Sequence, residues 1–155
     1  MIKLLDILEN KILVPRRSKE ERQKTYSISL QKKIQQYIKD GNKGDLYLSN
    51  TPTTSLPDNL KVGRDLYLYK TPITSLPDNL KVGGYLNLMG TPITSLPDNL
   101  EVGGDLYLFK TPITSLSDNL EVGGDLYLKS TPISQKYSEE EIRKMVPGVK
   151  GEIFI

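Results

Sequence analysis

Hydrophobic residues recur along this chain in pairs two apart, and the pairs return every 20 residues. Leu46/Leu48, Leu66/Leu68, Leu86/Leu88, Leu106/Leu108 and Leu126/Leu128 each flank one polar or aromatic residue. Positions two apart in an extended chain share a face, so each pair predicts a short strand with its leucines inward. Between Asp65 and Gly84, Ile73, Leu76, Leu80 and Val82 complete the apolar set. Leu80 and Val82 repeat the strand pattern over a shorter stretch. Thr71-Pro72, Pro77-Asp78-Asn79 and Gly83-Gly84 are turn formers between these segments. Such a unit is one coil of a solenoid. One coil buries too little to offset its own ordering, so coils must stack, each leucine against its copies above and below.

Both ends depart from the repeat. Ser18-Lys-Glu-Glu21 reads as a capping box, and Tyr26, Leu30, Ile34, Tyr37 and Ile38 follow at helical spacing until Gly41 and Gly44. This helix is expected over the open edge of the first coil, on Leu46, Leu48, Leu56 and Leu60. Ser138-Glu-Glu-Glu141 is a second capping box, with Ile142, Met145 and Val146 as a short apolar face and Pro147-Gly148 as its stop. Gly151-Glu-Ile-Phe-Ile155 mirrors Gly124-Asp-Leu-Tyr-Leu128. It predicts a sixth strand with Ile153 and Ile155 inward and Phe154 outward. Met1 to Glu9 has a short helical pattern that either packs into the cap or docks a partner. The expected organisation is an N-terminal segment over 1–17, a helical cap over 18–44, tandem repeats over 45–133, and a helix with a final strand over 134–155. The fold class is an α+β repeat solenoid: a parallel β ladder of about six short strands between an N-terminal helix and a short C-terminal helix.

The unit Leu66-x-Leu-x-x-Thr-x-Ile-x-x-Leu-Pro77 resembles the core of a leucine-rich repeat. Its 20-residue period and Leu-Pro pair are similar to the short bacterial class found in secreted effectors. The Leu-Pro-Asp-Asn-Leu-Lys-Val-Gly-Gly units also resemble those of tailed-phage repeat proteins. The resemblance covers Asp45 to about Ile133. The family's Asn, which bonds backbone between coils, is replaced here by Thr51, Thr71, Thr91, Thr111 and Thr131. The resemblance implies a binding scaffold with no catalytic residues to carry over.

Composition narrows the chemistry. The 155 residues include no Cys, His or Trp. Disulfides, a thiolate nucleophile, a His-based triad and an ordinary zinc or haem site are therefore excluded. No apolar run approaches the ~20 residues that cross a bilayer. The expectation is a soluble, cytoplasmic protein of a bacterial host or its phage, not an enzyme, without cofactor, metal or membrane association. Charge is uneven: residues 1–44 hold 11 basic and 5 acidic side chains (+6), residues 45–129 hold 6 and 10 (−4), and residues 130–155 hold 4 and 4. The basic set Arg16, Arg17, Lys19, Arg22, Lys24, Lys32 and Lys33 is diluted by Glu20 and Glu21 and reads as a solvated helix face rather than a nucleic-acid site.

The repeats act as their own control. Positions that never change between units are structural, and those that change are free of that duty. Three changing columns lie outward on the main strand: Asp45/Asp65/Tyr85/Asp105/Asp125, Tyr47/Tyr67/Asn87/Tyr107/Tyr127 and Ser49/Tyr69/Met89/Phe109/Lys129. They predict an exposed aromatic and acidic surface suited to a protein partner. Its candidate residues are Tyr47, Tyr67, Tyr69, Tyr85, Asn87, Met89, Tyr107, Phe109, Tyr127, Asp65 and Asp105. The third coil carries Asn87 for Tyr and Gly90 for Lys, which predicts a local depression flanked by Tyr67, Tyr107 and Phe109. The column Asp58, Asp78, Asp98 and Asp118 reads as turn residues capping their own backbone rather than a calcium site. The leading functional expectation is a non-catalytic protein-binding scaffold. The second is a structural or self-assembling protein, such as a virion component or a homo-oligomer.

Overall fold

A computed structural model describes residues 18–155. The expectations on Met1–Glu9 and on Arg16 and Arg17 lie outside the described residues. The chain runs α1 (Lys19–Lys39), β1 (Leu46–Tyr47), β2 (Lys61–Val62), β3 (Leu66–Tyr67), β4 (Lys81–Val82), β5 (Leu86–Asn87), β6 (Glu101–Val102), β7 (Leu106–Tyr107), β8 (Glu121–Val122), β9 (Leu126–Tyr127), α2 (Pro132–Lys136), α3 (Glu139–Met145) and β10 (Ile153–Phe154). The odd strands and β10 form a six-stranded parallel sheet in the order β1-β3-β5-β7-β9-β10. Leu46 pairs with Leu66, Leu66 with Leu86, Leu86 with Leu106, Leu106 with Leu126, and Leu126 with Ile153. This is the six-stranded ladder that the leucine pairs predict.

A second parallel sheet, β2-β4-β6-β8, runs beside the first. Its inward column is Val62, Val82, Val102 and Val122, continued by a bridge to Val149. The pattern at Leu80 and Val82 predicted these strands only as segments, not as a sheet. Leucines, isoleucines and valines of successive coils form one continuous core, with Leu66, Leu68, Ile73, Leu80, Leu86 and Leu88 fully buried.

The coils approach so closely that backbone meets backbone. A Cβ placed on Gly83, Gly103 or Gly123 would collide with the carbonyl oxygen of the glycine one coil earlier. The threonines replacing the resembled family's Asn act within their own coil. Thr71, Thr91, Thr111 and Thr131 are buried, and each Oγ1 donates to the carbonyl three residues back at 2.6–2.9 Å. Lys70, Gly90 and Lys110 follow the main strand with φ of +52°, +68° and +55°. Gly90 is therefore the residue best suited to a left-handed turn that lysine occupies in the neighbouring coils. The Asp58 column lies on exposed turns, where Asn59, Asn79 and Asn99 take the positive φ.

The ends largely follow expectation. Ser18 caps α1 through a capping box with Glu21, and Leu30 and Ile34 bury against the first coil. Tyr26, expected on the buried stripe, is 46% exposed. A helix of 21 residues is about 31 Å long, so its first turns outreach the coil edge it covers. Ile155 is also a correction: it lies after the last paired residue, on the outermost strand, and is 47% exposed. Ile153 is buried and Phe154 exposed, as predicted. The C-terminal part holds two short helices where one was expected. Thr131-Pro132-Ile133 begins like another coil, but Ser134 N–H donates to Thr131 Oγ1 and the chain turns helical as α2.

Two stability outcomes follow from this packing. Gly103→Ala is expected to lower unfolding free energy by about 2 kcal/mol or more, through forced separation of adjacent coils. Urea denaturation measures it, and an unchanged midpoint would show that the coils can part without cost. Ile153→Asp is expected to destabilise by several kcal/mol by burying an unpaired charge, and Phe154→Ser by only about 1 kcal/mol. Equal losses in paired thermal melts would contradict the inward-outward assignment of β10.

Candidate functional site

The candidate residues occupy one face, the outer side of the six-stranded sheet, where side chains alternate with the buried leucines. Tyr47 and Tyr85 are exposed. Tyr67, Tyr69, Asn87, Met89, Tyr107, Phe109, Tyr127, Asp65 and Asp105 are half-buried. The parallel register brings each column into line across the coils.

Within that face, the aspartates have work of their own. Asp65 Oδ1 accepts the N–H of Tyr85 at 2.9 Å, and its Oδ2 accepts the hydroxyl of Tyr67 at 3.1 Å. Asp105 repeats this with Asp125 N–H at 2.9 Å and Tyr107 Oη–H at 3.1 Å. Asp45 and Asp125 do the same for Asp65 N–H and Glu152 N–H. The carboxylates thus bracket one coil to the next and orient the tyrosine beside them. Asp65 and Asp105 were expected among the residues facing a partner, and both oxygens of each are already engaged. The bracket also explains the second glycine of two of the three Gly-Gly pairs. A Cβ on Gly84 or Gly124 would strike the aspartate oxygen that reaches past it.

The tyrosines stack in the same register. Tyr47 lies on Tyr67 at 4.8 Å between centroids and 8° between planes. Tyr107 lies on Tyr127 at 4.6 Å and 5°, and Tyr127 on Phe154 at 4.7 Å and 9°. Each stacked pair contributes roughly 0.5–1.5 kcal/mol beyond its buried area. Phe109 leans on this stack at 6.5 Å from Tyr107 and 5.7 Å from Tyr127. Lys70 Nζ sits 4.9 Å above the Tyr69 ring.

The third coil breaks both motifs at once. Tyr85 stands where the others have the bracketing Asp, and Asn87 where they have Tyr. Tyr85 meets Tyr107 edge-on, at 6.3 Å and 86°. Asn87 Oδ1 accepts the Met89 N–H at 3.0 Å.

Electrostatics follow from the same contacts. Burial, then the hydrogen bond to Asp105 and that carboxylate's charge, push the Tyr107 phenol up to about 12. Burial and Asp65 raise Tyr67 in the same direction. The Asp45 carboxyl is held below its usual range, first by the Tyr47 hydroxyl and then by the Asp65 N–H.

The second sheet presents a feature that the sequence reading missed. Its outward column is Lys61, Lys81, Glu101 and Glu121, standing over the glycine row and lining a groove of about 850 Å³. Lys81 and Glu101 form an ion pair across the coils. The signal was available, since this position also changes between units. Among the described residues, no group of three or more Asp or Glu is placed to hold a metal ion, and no helix is long and apolar enough to cross a membrane. On α1, Lys33 Nζ donates to the Tyr47 carbonyl at 2.6 Å.

The chain is therefore a short parallel β-solenoid of 20-residue coils with helical ends. Compared with protein-family models, curated proteins and solved structures, it matches none of them.

The stacked tyrosines generate a pH outcome. Their folded-state pKa values lie above the unfolded value near 10, so the unfolded chain ionises first as pH rises. The stability tied to Tyr107 is fully present below pH 10 and is lost as pH climbs toward about 12. Melting temperature is expected to fall through that window while tyrosinate absorbance rises, and Tyr107→Phe is expected to flatten the fall. An identical alkaline slope in the variant would remove Tyr107 from the account.

Proposed function

We propose that this protein is a non-catalytic scaffold, built on a leucine-rich-repeat-like solenoid, that binds a protein partner on the outer face of its six-stranded sheet. The observation that carries this reading is the gathering of aromatic and thioether side chains on one rigid face. Tyr47 and Tyr85 stay 55% and 45% exposed there, with Tyr69, Met89 and Phe109 half-buried beside them. Aromatic anchors on a preorganised surface are what protein interfaces draw their energy from. The column Tyr69, Met89 and Phe109 supports the reading further, because it varies in every coil over an unvarying core. The likeness of the Leu-Pro-Asp-Asn-Leu-Lys-Val-Gly-Gly units to tailed-phage repeat proteins supports a setting in a bacterial host or its phage.

The test uses Tyr85→Ser, Met89→Ser and Phe109→Ser together. These residues lie outside the Asp–Tyr brackets, so folding is expected to persist in thermal melts. Affinity capture from a lysate of the native host should retain a partner on the wild-type chain and lose it on the variant. Titration with that purified partner should show weakening by about 2 kcal/mol or more, as for loss of anchor side chains. Unchanged affinity in a folded variant would rule out this face. Light scattering that shows growth of the chain alone with concentration would favour self-assembly instead.

A further inference from the structure

We infer that the interruption of the tyrosine stack at Asn87 is a seat for one planar aromatic side chain of a protein partner, which completes the stack as its missing rung. This rests on the reading of the six-stranded face as the binding surface, and it specifies what that surface takes.

The stack runs in two pieces. Tyr47 and Tyr67 form one, and Tyr107, Tyr127 and Phe154 form the other. The register places Asn87 directly between Tyr67 and Tyr107. Those two rings are therefore separated by two strand spacings, roughly 9.5 Å. A ring inserted midway lies about 4.7 Å from each neighbour, the separation already found at 4.6–4.8 Å in the other parallel pairs of the column. The gap thus has the dimension of one rung.

Tyr85 and Asn87 of the third coil border the gap. Tyr85, the bulkiest side chain introduced in this coil, meets Tyr107 edge-on and does not extend the parallel stack. It lies against Gly104, where a Cβ would come within 2.8 Å of its Cδ1. Asn87 spends its Oδ1 on the Met89 N–H, and its amide NH2 has no partner among the described residues. That group is available to donate to a phenol oxygen or a main-chain carbonyl of the bound segment. Met89 is half-buried next to it and supplies a polarizable thioether that suits a ring edge.

Charge selects the class of ring. The Asp65 and Asp105 carboxylates flank the gap, one coil to either side of Asn87. A nucleobase arrives with phosphate and is repelled. An aromatic side chain next to Lys or Arg is attracted, and the flanking cations meet carboxylates already held in place.

The test uses the full chain and acetylated peptide amides Lys-Trp-Lys and Lys-Leu-Lys. The protein has no Trp, so probe fluorescence is read without background. The tryptophan peptide is expected to bind at least tenfold more tightly than the leucine peptide and to move the Asn87 side-chain amide resonance upfield. Asn87→Tyr restores the residue found at this position in the four other coils. It should therefore fold with an equal or higher melting temperature, fill the gap, and weaken tryptophan-peptide binding tenfold or more. Equal binding by Asn87→Tyr, equal affinity for the two peptides, no binding of the tryptophan peptide at all, or tighter binding of adenosine monophosphate would each overturn the seat. If the Tyr85/Met89/Phe109 serine variant loses the tryptophan peptide while Asn87→Tyr keeps it, the face stands and the seat falls. If the serine variant also keeps the native partner, the face itself falls.

Discussion

Backbone contact between successive coils is the constraint on which the rest of this molecule depends. At Gly83, Gly103 and Gly123 the chain passes so near the coil before it that no side chain fits. That approach locks neighbouring coils one strand spacing apart and 20 residues out of phase, and every side chain then meets its own copy. Leucine falls on leucine, valine on valine, and tyrosine on tyrosine. A hydrophobic core, a carboxylate bracket and an aromatic stack are three consequences of one registration. The threonine column is a fourth: each Thr Oγ1 ties off a carbonyl inside its own coil.

Because identical positions coincide, a substitution in one coil is felt as a break in a column rather than as an isolated change. Coil three shows this twice. Without an aspartate at 85, the Asp105 N–H lacks the bracket that Asp65, Asp125 and the Glu152 N–H groups receive elsewhere. Without a tyrosine at 87, the stack divides. The core beneath is unaffected, with Leu86 and Leu88 fully buried like their copies. Local variation on the face is thus tolerated by a framework that does not depend on it, which is the condition a recognition surface requires.

Much of this fold was legible because period-two leucines and period-20 repeats name the same strands twice. The capping boxes at Ser18 and Ser138 were equally plain, since each is a local bond between residues three apart. The second sheet was harder to read. A two-residue strand such as Lys61–Val62 contributes one inward side chain, and one residue sets no period. The helix α2 was hidden because Thr131-Pro132-Ile133 repeats Thr71-Pro72-Ile73, and the divergence begins only at Ser134. Ile155 went astray for a different reason: alternation states which way a side chain points, not whether anything covers it.

The site was legible in place but not in role. Comparing the repeats treated any changing column as free of structural duty. The Asp and Tyr columns each change in a single coil and are otherwise constant, which is the signature of a bracket and a stack with one exception. The column that changes freely is Ser49, Tyr69, Met89, Phe109 and Lys129, and it is hydrogen-bonded across the coils through its backbone alone. Degree of variation therefore separates two layers on one face: an inner pair of columns that holds coils together, and an outer column that is open to specialise. The exception at Tyr85 and Asn87 is where the inner layer yields to the outer. There the Met89 N–H takes the Asn87 oxygen, so the side chain that interrupts the stack also fixes the backbone of the variable column beside it.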